Sequence, residues 1–400
     1  MIIESVDFYY MSMPEVMDVG DGSQDVLLVR LRGGDWEGWG ECETSPLVSI
    51  ASLIAPMSHS ACKPVSASVL GQRLDSAADI VRIGDLVRAN SYDMLQAAHT
   101  LSGIDIAMWD LLGKRFEVPV YELLGFAAAL PKTPYASALF GESPAQTYER
   151  AATIRAEGYR AVKFGWQGFG SQDLHRDELQ LAAAREGLGP DVDLLVDAAM
   201  AWGTDAELAI QRVPALEKFG VLFIEEPFIP GADAAYRELK AASPHVRLAA
   251  GEGCHTLEMA MSMMDNAHVD YLQIDTGRIG GIAPAKVIAD EAVRRGCTYL
   301  NHTFTSHLAL SASIQPFAGH AGASLIEYPV DAKPVSWDLT VNHLDRDHDG
   351  LVRLPDTPGL GMTIDTDTIR QYLVDVEIRV GGRSLYSTPD LADLNQQETV

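Results

Sequence analysis

A barrel of parallel strands alternating with helices, joined to a separate α+β domain, is the fold class predicted by three features of the sequence. Eight short apolar segments follow one another after about residue 131: PYASAL, YRAVKFG, VDLLVD, VLFIEEP, VRLAAGE, VDYLQID, CTYLNH and ASLIEYP. One residue near each segment's end recurs at intervals of 26, 34, 28, 27, 23, 27 and 25 residues, the length of one strand, one helix and two loops. The alternative, an open doubly wound sheet, lacks support because no G-x-G-x-x-G run follows a strand.

The N-terminal part has a different pattern. Residues 1–60 are predicted as strands, and DVLLVRLRGG followed by WEGWGE describes a hairpin with a Gly33-Gly34 turn. Residues 72–125 are predicted as helices, since SYDMLQAAHTLSGIDIAMWDLLGKRF carries apolar residues at helical spacing. Strands followed by helices predict an α+β unit over 1–128, with the barrel over 129–330. Past residue 330 the chain is polar and rich in Pro, Asp and Gly. There TPGLGMTIDTDTIRQYL predicts a turn, a strand and a helix within a segment, 331–385, that returns to the first unit. Residues 386–400 are predicted as a loose tail.

Composition limits the function classes. The chain has 400 residues, 47% of them hydrophobic, and a formal net charge of −26, enough for one large and one smaller domain. A surface this acidic repels nucleic acid and anionic membranes, and no stretch of about 18 uncharged apolar residues predicts a membrane span. The N-terminal run MIIESVDFYYMSMPEV lacks the basic and apolar regions of a signal peptide. Cys42, Cys62, Cys254 and Cys297 form no C-x-x-C pair, so reduced thiols in a cytoplasmic protein are expected. The Asn301-His302-Thr303 sequon falls at a predicted strand end, which argues against glycosylation.

The residues chosen near the strand ends are Ser137, Lys163, Asp197, Glu225, Glu252, Asp275, His302 and Glu327. Seven are ionisable, and in a parallel barrel the C-terminal strand ends converge on one mouth. A single acid there caps the next helix as readily as it binds a metal. Asp197, Glu225 and Glu252 fall on three consecutive strands, where they would repel one another without a cation between them. Hard oxygen donors without cysteine favour Mg²⁺, or Mn²⁺, over zinc. Asp275 and His302 end neighbouring strands, and an aspartate beside a histidine fixes its tautomer and raises its basicity. Lys163 can stabilise an oxyanion, act as a base, or pair with one of the acids. Glu327, if protonated, can hydrogen-bond a substrate carboxylate or else pack against the loop after Lys163.

At these residues the chain resembles the enolase superfamily, and within it the mandelate racemase-like group. GWGEC at 38–42, LSGIDIAMWDLLGK at 101–114 and VPVYELLG at 118–125 resemble that family's capping domain. VKF at 162–164, VDAAM at 196–200, IEEP at 224–227, GEG at 251–253, DTGRIGG at 275–281, NHT at 301–303 and IEYP at 326–329 resemble its barrel strand ends. The resemblance implies a modified TIM barrel, (β/α)7β, with an α+β capping domain. It implies metal ligands at Asp197, Glu225 and Glu252, with Glu226 a neighbour and not a ligand. It also implies a His302–Asp275 dyad, an electrophilic Glu327, and removal of the proton α to a carboxylate held on Mg²⁺. A homo-oligomer between dimer and octamer is expected from the same likeness.

One departure from the family pattern bears on the reaction. The racemase motif is Lys-x-Lys, but here the run is Lys163-Phe164-Gly165. Racemisation needs a proton acceptor on each face of the α-carbon, and His302 supplies one face only. Elimination of water needs one base and one acid, which a single histidine can provide. Dehydration of a sugar acid, an aldonate or aldarate, to a 2-keto-3-deoxy product is therefore expected, with an epimerase or a cycloisomerase as the alternative. Tyr135, Trp166, Gln167 and His255 are the candidates for a second group. Loops near Glu15–Gln24 and Thr44–Leu53, with Asp18, Asp21, Ser23 and Ser45, are expected to contact substrate hydroxyls. Asp345, Asp347, Asp349 and Gly350 mimic the start of an EF-hand loop, but Asp356 stands where Glu is required and Pro355 precedes it, so a surface hairpin is expected.

Overall fold

The computed structural model of the chain describes residues 1–166, 168–171, 173–392 and 394. It opens with three antiparallel strands, β1 (Ser5–Ser12), β2 (Asp25–Gly33) and β3 (Trp36–Cys42). Gly33 pairs with Trp36, so the turn is Gly34-Asp35 and not the expected Gly33-Gly34. Gly34 has φ +58°, the left-handed conformation that a two-residue hairpin loop demands and glycine adopts freely. The expectation of strands to residue 60 fails after Cys42. Pro46–Ile54 is a helix, with Pro46 at its first position, where a missing N–H is harmless.

The long helix Ala97–Phe116 is buried over most of its length and lies across β3. Gly38 and Gly40 permit this approach, because a Cβ on either would strike the helix backbone at Ala107 or Gly103.

All eight apolar segments form parallel strands. They are β4 (Thr133–Leu139), β5 (Ala161–Gly165), β6 (Asp193–Asp197), β7 (Val221–Glu225), β8 (Arg247–Ala250), β9 (Tyr271–Asp275), β10 (Thr298–His302) and β11 (Leu325–Pro329). Their order is β10-β9-β8-β7-β6-β5-β4-β11. The seam between β10 and β11 carries no ladder among the described residues. Asn301 closes it instead: its Oδ1 accepts from the Glu327 N–H at 2.9 Å and its Nδ2 donates to the Glu327 carbonyl at 3.4 Å. Asn301 is thus a buried bridge between strands, and its side chain is committed to the seam rather than to solvent. Inside the barrel, Tyr135, Ala161, Leu195, Phe223, Ala249 and Leu300 form a separate apolar cluster. Such a layer makes the interior a packed core and leaves chemistry to the strand ends.

The chain after residue 330 contacts β1. Met11 bridges Leu373, and the Val374 N–H donates to the Tyr10 carbonyl at 2.8 Å. The strand expected within TPGLGMTIDTDTIRQYL is reduced to two isolated bridges, Pro119 to Gly359 and Thr340 to Ile364, ahead of the helix Thr366–Tyr372. An unexpected hairpin follows, β12 (Glu377–Val380) and β13 (Arg383–Ser387). Tyr386 Oη donates to the Phe8 carbonyl at 2.6 Å, so the expected tail begins inside a strand. Its residues 393 and 395–400 lie outside the described ones.

The EF-hand mimic is a surface turn. Asp347 Oδ1 accepts from the N–H groups of Asp349 and Leu351, and its Oδ2 takes Arg353 Nε at 2.8 Å. All four cysteines are free thiols, and no helix among the described residues is long and apolar enough to cross a membrane.

Candidate active site

A cavity of about 270 Å³ sits at the C-terminal ends of the barrel strands. Ser137, Lys163, Asp197, Glu252, His302 and Glu327 all line it, although their sequence positions span 190 residues. Asp197 and His302 are the last residues of β6 and β10, while β11 runs two residues past Glu327. β8 stops at Ala250, so Glu252 sits in the turn beyond the strand and not at its end.

The His302 side is a linear relay. Asp275 Oδ2 lies 2.6 Å from His302 Nδ1, and Asp275 Oδ1 accepts the Gly277 N–H at 2.6 Å. The aspartate therefore anchors the ring by one nitrogen and is itself anchored by the backbone. His302 Nε2 points at Glu252 Oε2, 3.1 Å away. Burial opposes charge on this ring, but Glu252, Glu327 and Asp275 outweigh it and raise its pKa well above the usual histidine range. Burial likewise opposes charge on Glu252, yet His302 and Arg278 hold its carboxyl down at about 2.

On the other side Lys163 joins two acids. Its Nζ lies 2.6 Å from Glu225 Oε1 and 2.7 Å from Glu327 Oε1. Glu327 also accepts from Ser137 Oγ at 2.8 Å and from the Thr303 N–H at 2.9 Å. Those two donors, with Lys163, satisfy a carboxylate that is fully buried. Burial also opposes charge on Lys163, but Glu225 and Glu327 raise its pKa well above the ordinary lysine range.

The three expected metal ligands, Asp197, Glu225 and Glu252, lie at or just past the ends of three neighbouring strands, β6, β7 and β8. Among the described residues, the acid and histidine groups whose donor atoms lie within 4.8 Å of one another are Glu43–Asp275–His302 and the exposed Asp347–His348–Asp349. The Asp197–Glu225–Glu252 set is not one of them. Glu225 pairs with Lys163, and Glu252 pairs with His302 and Arg278. The donors nevertheless suit a divalent cation. Glu225 Oε2 is buried with no hydrogen-bond partner, an unmet acceptor of the kind an ion satisfies. Burial raises Asp197 to about 6 and Glu225 to about 8, with neighbouring acids adding to the effect. A set of carboxylate oxygens with no thiol among them matches the hard-ligand preference of Mg²⁺. After Asp197 the backbone is strained, with Ala199 at φ +49° and Met200 at φ +59°, as functional turns often are. Glu226 is turned away and lines a separate cavity with Phe228, Tyr236 and Met263.

Gly165 marks the missing second lysine. A Cβ there would lie 2.7 Å from Asp197 Cβ, so the position is filled by its neighbour's side chain. Of the substitutes considered, Tyr135 is fully buried beneath Lys163, and Gln167 lies outside the described residues. Trp166 lines the cavity, with its ring lying over Gly20. His255 lines a neighbouring cavity. From the expected loops, Asp21 reaches the cavity at the strand ends and Ser45 the neighbouring one. Asp18 lines neither, and Ser23 Oγ instead accepts from the Lys333 N–H at 2.8 Å.

Two charged lining residues, Arg278 and Glu43, were not singled out from sequence. Arg278 Nη2 lies 3.0 Å from Glu43 Oε1, and its Nη1 lies 3.2 Å from Glu252 Oε1. Glu43 follows β3 directly and its N–H donates to the Gly277 carbonyl at 3.2 Å, tying the antiparallel unit to the barrel mouth. Burial, then the charge of Asp275, raises Glu43 to about 7. Arg278 stands three residues after Asp275 within DTGRIGG, a spacing that could have pointed to it.

Comparison with known proteins agrees with this architecture. Residues 7–125 match the family model described as the mandelate racemase/muconate lactonizing enzyme N-terminal domain, and residues 146–368 match the enolase C-terminal domain-like model. A D-galactarolactone cycloisomerase of Agrobacterium fabrum is 30% identical over 68% of this chain and 73% of its own length. An arabinonate dehydratase of Saccharolobus solfataricus is 28% identical over 68% of this chain and 71% of its own. A Rhodobacter sphaeroides structure described as a "predicted Mandelate racemase" superposes with a TM-score of 0.93 at 52% identity, covering 97% of this chain and all of that one. The chain belongs to the mandelate racemase/muconate lactonizing enzyme family of the enolase superfamily.

Proposed function

We propose that the protein is a Mg²⁺-dependent dehydratase of sugar acids, removing water from an aldonate or aldarate to give a 2-keto-3-deoxy acid. The observation that carries this reading is the one-sided placement of bases. His302, held by Asp275 at 2.6 Å, faces across the mouth to Gly165, whose side-chain space Asp197 occupies. Lys163 is already engaged with two acids. A single mobile proton suits elimination better than two-base racemisation.

Asp197, Glu225 and Glu252 would hold the cation. When bound, it supplies the positive charge that makes a proton α to a carboxylate acidic enough to remove. His302 Nε2 takes the C2 proton as the C2–H bond breaks. The C3–O bond then breaks, and His302 returns that proton to the departing hydroxyl, which leaves as water. The resulting enol rearranges to the 2-keto acid, so atoms balance without an added reductant or oxidant. Lys163 holds the substrate carboxylate by charge, and Glu327 in its protonated form donates a hydrogen bond to it. The acid-sugar dehydratases among the relatives, including the arabinonate dehydratase, support the substrate class.

Cycloisomerisation is the second reading, favoured by the cycloisomerase relative at 30% identity. It also needs only one base, because opening a lactone expels a ring oxygen in place of a hydroxyl. Incubation of a sugar-acid and lactone panel in deuterated water with Mg²⁺, followed by NMR and mass spectrometry, separates the two. A keto acid lighter by one water supports dehydration. A product of unchanged formula, apart from deuterium, overturns it.

A further inference from the structure

Beside the catalytic cavity lies a second one of about 410 Å³, lined by Asp25, Thr44, Ser45, His99, His255 and Arg278 among others. The two cavities share Gly22, Glu43 and Arg278, so the second begins at the Glu43–Arg278 pair. We propose that this chamber receives the distal end of the substrate, and that its pair of imidazoles selects an uncharged, hydroxyl-bearing end over a second carboxylate. This rests on the dehydratase reading and narrows its substrate from aldonate or aldarate to aldonate.

The histidines carry the argument. His99 is only 8% exposed, and its Nδ1 has no hydrogen-bond partner. His255 lies against it with ring centroids 5.2 Å apart, and neither ring bonds to protein among the described residues. The buried His99 Nδ1 is an unmet group at the wall of a polar cavity, and the exposed His255 ring beside it is free to bind the same ligand. Burial lowers His99 to about 4, with His255 adding to it, and burial lowers His255 too, so both rings are neutral near pH 7.

The remaining charge in the chamber disfavours an anion. Arg278 is the cation on this wall, and it is matched by Glu43 at 3.0 Å, Glu252 at 3.2 Å and Asp275 at 3.7 Å. Asp25 and Glu43 add acceptors. A carboxylate entering here would meet carboxylates and no free positive partner, whereas hydroxyl groups find acceptors on His99, His255 and Asp25 and hydroxyls on Thr44 and Ser45.

The test uses the purified enzyme with Mg²⁺ and matched hexonates and hexarates of the same C2–C5 configuration, assayed for turnover and, by calorimetry, for binding. His255→Ala is the main variant because the ring is exposed and its loss leaves no buried gap; His99→Gln is the second. A hexonate is expected to exceed its hexarate about tenfold or more in kcat/KM. His255→Ala is expected to raise the hexonate KM by roughly 3- to 10-fold, with most of the loss in KM and not kcat. That penalty is expected to shrink for a tetronate too short to reach the chamber. Preference for hexarates, or equal KM values in wild type and both variants, overturns the proposal. If no sugar acid is turned over, the dehydratase reading has failed. Binding then decides the chamber: hexonate affinity that falls in His255→Ala supports it, and unchanged affinity refutes it.

Discussion

Across β4, β5, β7 and β11, the barrel mouth holds Lys163 between Glu225 and Glu327, with supports drawn from the barrel itself: Ser137 on β4 and the Thr303 backbone. Across β8 to β10 it holds His302 between Asp275 and Glu252, and there many supports come from the antiparallel unit. Glu43 binds Arg278, Glu41 accepts from Ser306 Oγ, and Ser102 Oγ accepts the Gly280 N–H at 2.9 Å. The first half is a closed ion-pair network with no room for a mobile proton. The second ends in a ring nitrogen that faces the cavity, on a scaffold that depends on docking between units. Charge is fixed on one side and proton transfer is placed on the other, and each half can be broken separately.

The largest effect is expected from His302→Asn, which keeps a polar group of similar reach but removes the base. A general base contributes roughly 10²- to 10⁴-fold, and this residue serves as acid as well, so kcat is expected to fall by about 10³-fold or more. Exchange of the α-proton into deuterated water is expected to vanish with it. Persistent exchange in the variant would move the base to the Lys163 half and collapse the distinction.

Lys163→Met tests the fixed half. Removing one partner of a buried ion pair leaves acids unpaired and destabilises by roughly 3–5 kcal/mol. Both Tm and kcat are expected to drop, kcat by about 100-fold if Lys163 binds the substrate carboxylate. Adding Glu327→Gln is expected to restore much of the Tm and none of the kcat. Recovery of both would make Lys163 a structural residue only.

The contrast also explains what was legible in the sequence. The barrel was legible because its strands repeat at a near-constant interval, and parallel topology turns that interval into convergence at one mouth. Asp197, His302 and Glu327 were legible for the same reason. Glu43 was not, because its role depends on how the antiparallel unit sits over the barrel, which no local period encodes, and Arg278 was marked only by its place three residues after Asp275 within DTGRIGG. Likewise Glu252 was read at a strand end, since GEG continues the apolar run, yet β8 stops at Ala250. The helix Pro46–Ile54 lies in a segment expected as strand, although Ser45-Pro46 is a helix-start signal.

The smallest effect tests the docking that supports the His302 half. Asp105, on the long helix Ala97–Phe116, accepts the Ala283 N–H at 3.1 Å and packs where a side chain on Gly281 would otherwise sit. It thereby braces the loop that carries Asp275 and Arg278. Burial raises its carboxyl from 3.8 to about 7. The folded state therefore holds a proton that the unfolded chain releases, so stability is full below about pH 4 and falls as pH rises toward 7. At about 1.36 kcal/mol per pH unit the loss is at most roughly 4 kcal/mol, a Tm change of about 5 °C for a chain this long. Asp105→Asn keeps the acceptor and has no proton to lose. Its Tm relative to wild type is expected to rise between pH 4 and 7 and then level off. A constant difference across that range would mean that Asp105 is already ionised in the fold, and that a charge-assisted contact braces the loop.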